Sequence, residues 1–236
     1  MNLRDIIIRC IFPRRCVFCN AVLDINYEFY ICHDCEKTVS WINGNVCEKC
    51  GKPIEHYGRC RRCNSMEHKF DTAYAVYVYE DEVRKAVHRF KYKNKGSYAR
   101  FFGHELARFA DFEDIPPVDY VVPVPIARAR LHERGYNQCA LMADEYCKLR
   151  NETRADLLER VRKTKPQSGL KREERVKNIR GAFAVKDCGI NLKGKSILLI
   201  DDIFTTGSTV DECAKVLKRA GAGAVYVLCL SISEAD

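Results

Sequence analysis

The chain has 236 residues, 47% of them hydrophobic, and carries 40 Lys and Arg against 32 Asp and Glu, a formal net charge of +8. That length holds one α/β domain of roughly 150–200 residues plus a small module, which excludes a large multidomain assembly. No stretch approaches the roughly 20 apolar residues of a membrane span and no low-complexity tract stands out, so the expectation is a cytoplasmic protein with one sizeable core.

The N-terminal segment places Leu3, Ile6, Ile7, Cys10 and Ile11 at helical spacing, one short apolar stripe. It is expected to pack on the protein's own body, with a membrane surface or a partner helix as the alternatives. Fourteen cysteines follow an unusual order. Eight form four C-x-x-C pairs, namely Cys16 with Cys19, Cys32 with Cys35, Cys47 with Cys50, and Cys60 with Cys63. Cytosolic thiols stay reduced, which argues against a disulfide framework. A C-x-x-C turn aims two thiolates at one metal, and two such turns complete the tetrahedral set that Zn2+ prefers. Two structural zinc ribbons in series are expected, paired sequentially rather than as a cross-brace, because the 12-residue and 9-residue gaps each suit one closed ribbon. His33 is a weaker ligand candidate than its cysteine neighbours. Cys10, Cys139, Cys147, Cys188, Cys213 and Cys229 lack partners at ligand spacing and read as small buried hydrophobes. The ribbon module is assigned to residues 1–65 and the main domain to 66–236.

Beyond the ribbons, strand and helix periods alternate. Residues 72–79 (TAYAVYVY) read as a strand, and 82–93 and 97–111 as helices. Residues 120–125 (YVVPVP) form a buried strand stopped by prolines, and 137–150 a helix with Asn137 as its cap. Residues 160–180 hold nine basic residues against two acids, either a solvated face or loop, or the seat of an anionic partner such as a polyphosphate or a nucleic-acid backbone. Residues 195–202 are a strand, 209–221 a helix and 224–233 the closing strand. This alternation predicts an α/β fold with a mostly parallel sheet covered by helices on both faces, its ligands at the carboxyl ends of the strands.

The stretch "ILLIDDIFTTGST" (197–209) joins a strand, two acids, a hydroxyl-rich turn and a helix N-terminus. Backbone amides of Thr205, Thr206, Gly207, Ser208 and Thr209 would form an anion-binding nest, helped by the positive end of the helix dipole. Asp201 and Asp202 would be repelled by a phosphate and are expected instead on sugar hydroxyls or a hydrated Mg2+. A ribose 5-phosphate satisfies both halves. No G-x-x-x-x-G-K-[ST] motif supports a P-loop site.

Four aliphatics, two acids and T-T-G-S-T resemble the 5-phosphoribosyl 1-pyrophosphate (PRPP) motif of type I phosphoribosyltransferases. The ribbon module ahead of it, "VVPVPIARARLHERGYNQ" (121–138), "FKYK" (90–93), Gln167, Leu170, Arg175, Asn178 and "GAF" (181–183) are similar to the ComF family of bacterial competence proteins. The resemblance covers nearly the whole chain. It implies a type I phosphoribosyltransferase-like domain in which Asp201 and Asp202 hold the ribose and serve catalysis, while Thr205, Thr206, Gly207, Ser208 and Thr209 hold the 5-phosphate. It further implies pyrophosphate near Arg128, Arg130 and Arg134, Mg2+ bound with PRPP, and a flexible loop over residues 162–178. By the same resemblance the protein would bind PRPP and handle incoming single-stranded DNA with other competence proteins, in the cytoplasm or peripherally at the inner membrane. The alternative is an active phosphoribosyltransferase with an unidentified acceptor and no DNA role. No acceptor site is legible in the sequence.

Overall fold

The computed structural model describes residues 13–24, 30–92, 96–165 and 169–233. The N-terminal apolar stripe, Cys10, Lys93 and Gln167 lie outside them. The main sheet contains β1 (Thr72–Val78), β2 (Tyr120–Pro123), β5 (Ser196–Phe204) and β6 (Ala224–Ile232), in the order β1-β6-β5-β2. All three pairings are parallel, with Thr72 opposite Tyr226, Ser196 opposite Ala224 and Tyr120 opposite Ile197.

A parallel sheet needs both faces covered, and the near-continuous apolar run of β5 meets that need by alternation. Leu198 and Ile200 turn to a core built with α3 (Asp81–Tyr92), α4 (Tyr98–Phe112) and α6 (Gln138–Arg150). Ile197 and Leu199 turn to the opposite core, where α8 (Ser208–Arg219) contributes Val210, Cys213, Ala214 and Leu217. Asn137 caps α6 as its sequence position predicts, its side chain accepting from the Cys139 amide at 3.0 Å.

The two ribbons clasp the β1 edge of this sheet, one on each face. Ribbon 1 buries Cys16, Val17, Phe18 and Leu23 in the first core, where the Phe18 ring meets Tyr77 and Phe101 edge-on, each at 5.6 Å. Arg89 on α3 donates to the Val17 carbonyl at 2.9 Å. Ribbon 2 buries Cys47, Cys50 and Cys63 in the second core, beside Phe70. The segment between the ribbons donates from Ile42 N to Val76 O at 2.8 Å, and Ala73 N donates to Lys49 O at 2.9 Å, so the edge strand is not left open. Gly51 permits this approach: it has φ +69°, and a Cβ there would stand 2.7 Å from Ala73 O. At the far edge, the chain at 153–155 runs along β2, with Val121 donating to Thr153 O and Ala155 to Val121 O.

The ribbons repeat one geometry without repeating a sequence beyond their cysteines. Asn20 and Gly51, each following a C-x-x-C pair, both take left-handed backbone. Each ribbon ends on a short helix N-capped by its third cysteine, Cys32 for α1 (His33–Thr38) and Cys60 for α2 (Arg61–Ser65).

Three elements depart from the sequence reading. The segment after "VVPVP" contains a short helix, α5 (Arg128–Arg134), where the sequence reading assigned no element. A small antiparallel pair, β3 (Leu158–Arg160) with β4 (Phe183–Val185), packs outside the main sheet. The basic span, expected as a flexible loop over 162–178, contains α7 (Arg172–Ile179), whose Ile179 is buried. Its described flanks are strapped together, since Asn178 exchanges hydrogen bonds with the Lys165 backbone at 2.9 and 3.0 Å and Arg162 donates to Asn178 O and Arg180 O at 2.7 Å.

Candidate functional site

At the carboxyl end of β5 the chain leaves Phe204, turns through Thr205, Thr206 and Gly207, and enters α8 at Ser208, one residue earlier than the sequence predicts. Gly207 is the N-cap with φ +69°. A Cβ at this position would lie 2.5 Å from the Phe204 ring. The glycine is therefore required first by its own backbone and by Phe204, and only then by any ligand. The Thr206 and Ser208 hydroxyls hydrogen-bond at 2.9 Å, and both residues are buried. Thr205 and Thr209 are half-buried at the two ends of the turn. The first amides of a helix have no intrahelical partner, so the turn offers an anion a set of convergent N–H groups.

The acid pair lies one step back on β5 and is more enclosed than the sequence suggests. Asp202 sits on the α3/α6 side, where Lys91 Nζ meets its Oδ1 at 2.7 Å and the Gln138 amide donates to Oδ2. Its own carbonyl accepts from Ser231 Oγ at 3.1 Å. Asp201 Oδ1 accepts from the Asp202 amide at 2.9 Å and from the Cys139 thiol at 3.4 Å. Burial and then the Asp202 charge push the Asp201 carboxyl up to about 7. The Lys91 ammonium is buried, which disfavours its charge, but the two aspartates outweigh that and raise it above the ordinary lysine range.

The three arginines fall differently. Arg134 donates to Gln138, which makes a continuous chain Arg134–Gln138–Asp202–Lys91. Arg130 donates to the Tyr92 hydroxyl at 2.9 Å, and the Tyr92 ring also takes Arg134 on its face at 5.1 Å. Arg128 is exposed at the start of α5. Lys91, Tyr92 and Gln138 were not singled out in the sequence for roles on the acid pair, although each stands inside a quoted motif. No local pattern signals that a lysine on α3 reaches a strand 111 residues away.

The eight paired cysteines gather in two sets, Cys16, Cys19, Cys32 and Cys35, and Cys47, Cys50, Cys60 and Cys63, each with donor atoms within 4.8 Å of one another. This is the sequential pairing. Cys19 and Cys32 sulfurs are 3.6 Å apart and those of Cys50 and Cys60 3.8 Å, close to the ~3.8 Å edge of a tetrahedron with ~2.3 Å Zn–S bonds. In each ribbon backbone amides favour the thiolate of the leading cysteine. Burial alone would raise Cys16, but the amides of Cys32, Cys19 and Phe18 outweigh it and lower the thiol to about 7. Cys47 comes down to about 7 in the same way, through the amides of Cys60, Cys50 and Lys49. His33 stays outside the donor set and lies 3.7 Å from Glu36. Of the unpaired cysteines, Cys139, Cys147, Cys213 and Cys229 are buried as expected, and Cys188 is exposed instead.

The second ribbon also touches the hydroxyl turn, which the sequence did not foretell. Arg62 on α2 donates to the Thr206 carbonyl, and just past the ribbon Lys69 N donates to Asp211 in the first turn of α8 at 2.6 Å. Among the described residues no helix is long and apolar enough to cross a membrane.

Two four-cysteine ribbons clasping a parallel sheet, with an acid pair and a hydroxyl turn at the carboxyl end of one strand, define a double-zinc-ribbon protein with a mostly parallel α/β domain. A double zinc ribbon family model matches residues 7–64. Competence protein F of Haemophilus influenzae is 26% identical over 92% of this chain and 96% of its own length, and competence protein ComFC of Bacillus subtilis is 28% identical over 82% and 80%. Over most of its length the chain is similar to these ComF-type competence proteins, and its ribbon module matches the double zinc ribbon family. A hypoxanthine phosphoribosyltransferase from Staphylococcus aureus overlays 61% of this chain and 68% of its own, at 16% identity and a TM-score of 0.32, too slight a likeness to argue from.

Proposed function

We propose that this protein binds PRPP at the β5–α8 turn and acts in natural competence, handling incoming single-stranded DNA together with other competence proteins. The observation that carries the reading is the unit itself, in which the acid pair and the amide nest follow one another at the carboxyl end of a parallel strand. Thr205, Thr206, Gly207, Ser208 and Thr209 would hold the 5-phosphate, and Asp201 and Asp202 the ribose hydroxyls. Arg128, Arg130 and Arg134 would face the pyrophosphate, whose charge Mg2+ neutralises when bound. The names of the relatives, competence protein F and competence protein ComFC, supply the biological setting. Residues 1–65 would serve as the ribbon module and 66–236 as the PRPP-binding domain.

A second reading, phosphoribosyl transfer to an acceptor, is favoured by the chain from Arg134 to Lys91, which sets a cation at each end of the Gln138–Asp202 pair. In such a transfer the C1–O bond to pyrophosphate breaks as a bond to the acceptor forms, and positioning with charge neutralisation carries the rate. The experiment is calorimetry with PRPP and Mg2+, followed by pyrophosphate release against a panel of bases and amines. PRPP binding without release supports the binding role, acceptor-dependent release supports the enzyme, and no PRPP binding removes both readings.

A further inference from the structure

Between ribbon 2 and the carboxyl ends of β5 and β6 lies a cavity of about 260 Å3. Ile54, Phe204 and Ile232 are among its apolar lining residues and Arg61, His68 and Thr205 among its polar ones, and it borders the second zinc set at Cys50 and Cys60. The size is telling, since an apolar cavity of ~150 Å3 already admits benzene. A pocket of this volume accommodates one substituted ring.

His68 is the unusual member of that wall. It is 5% exposed and stacks on Phe70 at 4.7 Å. Its Nδ1 stands 3.4 Å from Asp211 Oδ1, an ion-pair distance without the alignment of a hydrogen bond, and its Nε2 has no hydrogen-bond partner among the described residues. Buried polar side chains are as a rule paired, and a ligand acceptor is one way to pair this one. Arg61 carries an exposed guanidinium at the same cavity, a fork suited to a carboxylate. Apolar walls, a guanidinium and an unsatisfied imidazole together select a ring that bears an acid group.

We propose that this pocket binds a small aromatic or heteroaromatic carboxylic acid, its ring against Ile54, Phe204 and Ile232 and its carboxylate between Arg61 and His68. The site is separate from the acid pair and does not require PRPP to bind. It does share Thr205 and Thr206 with the phosphate turn, so an occupant would be sensed there.

The test titrates the zinc-loaded full chain with benzoate and nicotinate, with benzamide and nicotinamide as neutral counterparts, and with inorganic phosphate, by calorimetry and amide NMR shifts. Each acid should bind at least tenfold more tightly than its amide, with shifts centred on His68, Thr205 and Thr206. Ile54→Trp, which fills the pocket, should abolish acid binding while the zinc content and phosphate binding stay unchanged, and His68→Phe, which keeps the stack on Phe70, should weaken the acids several-fold. Equal binding of acids and amides, acid binding that survives Ile54→Trp, or no acid binding by folded protein carrying both zinc ions would overturn the proposal. So would displacement of the acid by phosphate alone, since that would put the acid in the β5–α8 turn. None of these outcomes depends on PRPP binding, which calorimetry measures separately.

Discussion

Lys91 on α3 and Asp202 on β5 meet at 2.7 Å with both side chains mostly shielded from water. Removing one partner of a buried pair leaves the other charge uncompensated, at a cost of about 3–5 kcal/mol. The raised Lys91 pKa means that its contribution is present at every pH below the ordinary lysine value and is lost only as pH climbs through the folded one. Lys91→Met is therefore expected to lower the unfolding free energy by about 3 kcal/mol at neutral pH, read as a shifted urea midpoint with an unchanged slope. An unchanged midpoint would mean that the pair is solvated and dispensable.

The Asp201 carboxyl, raised from 3.8 to about 7, has the opposite consequence. Between those values the folded chain holds a proton that the unfolded chain has released, so stability falls as pH rises through the window and the penalty is complete above it. Asp201→Asn should flatten that slope and raise stability at pH 8 by roughly 1–3 kcal/mol. Denaturant titrations at pH 4 and pH 8 check this. A wild-type chain that gains stability over the same range would assign Asp201 the wrong sign.

The main-sheet strands and their flanking helices were legible because each satisfies a local rule. The apolar run of 197–200 can only be a doubly buried strand, and Asn137 sits where a cap belongs. What escaped reading was long-range. The Lys91–Asp202 contact, the Arg62 hydrogen bond to Thr206 and the burial of Phe18 among α4 residues each join segments far apart in sequence, and none leaves a mark in a short window. The helix α7 was hidden by the charge of its span, since the nine basic residues of 160–180, three of them in α7, mask the buried anchor Ile179.

Asp201→Asn combined with Asp202→Asn should weaken PRPP and ribose 5-phosphate at least tenfold while sparing inorganic phosphate at the turn. Gly207→Val should lose all three. At φ +69° a β-branched residue is strained, and its Cβ would strike the Phe204 ring before any ligand arrived. Loss of phosphate in the double Asn variant would reverse the roles given to the acids and the turn.

Zinc content should be about two ions per chain under reducing conditions, one per four-cysteine set. A value near one would mean that one set is degenerate. Because ribbon 1 shares a core with β5 on one face and ribbon 2 on the other, chelation should also destabilise the sheet. Amide exchange in β1 and β6 should accelerate on metal removal. Protection of β1 and β6 that survives chelation would show that the sheet domain stands on its own.

The basic span supplies the test of the DNA reading. Lys163, Lys165 and Lys177 are exposed, and among the described residues no hydrogen bond from their side chains ties them to the strap around Asn178. Single-stranded DNA should bind with little sequence preference, and the logarithm of affinity should fall with the logarithm of salt at about 0.7 per phosphate neutralised. Replacing the three lysines by alanine should lower that slope by about 2 if each contacts a phosphate, with zinc content and thermal midpoint unchanged. Tyr92, 45% exposed, is the aromatic available for stacking near the site, whereas Phe90 is buried and Tyr136 packs on it. If PRPP and DNA both bind, any effect of one on the affinity of the other must be reciprocal, which competition titrations run in both directions will check. A salt-independent affinity, or a slope untouched by the triple replacement, would move the DNA contact away from residues 160–180 and toward the ribbons.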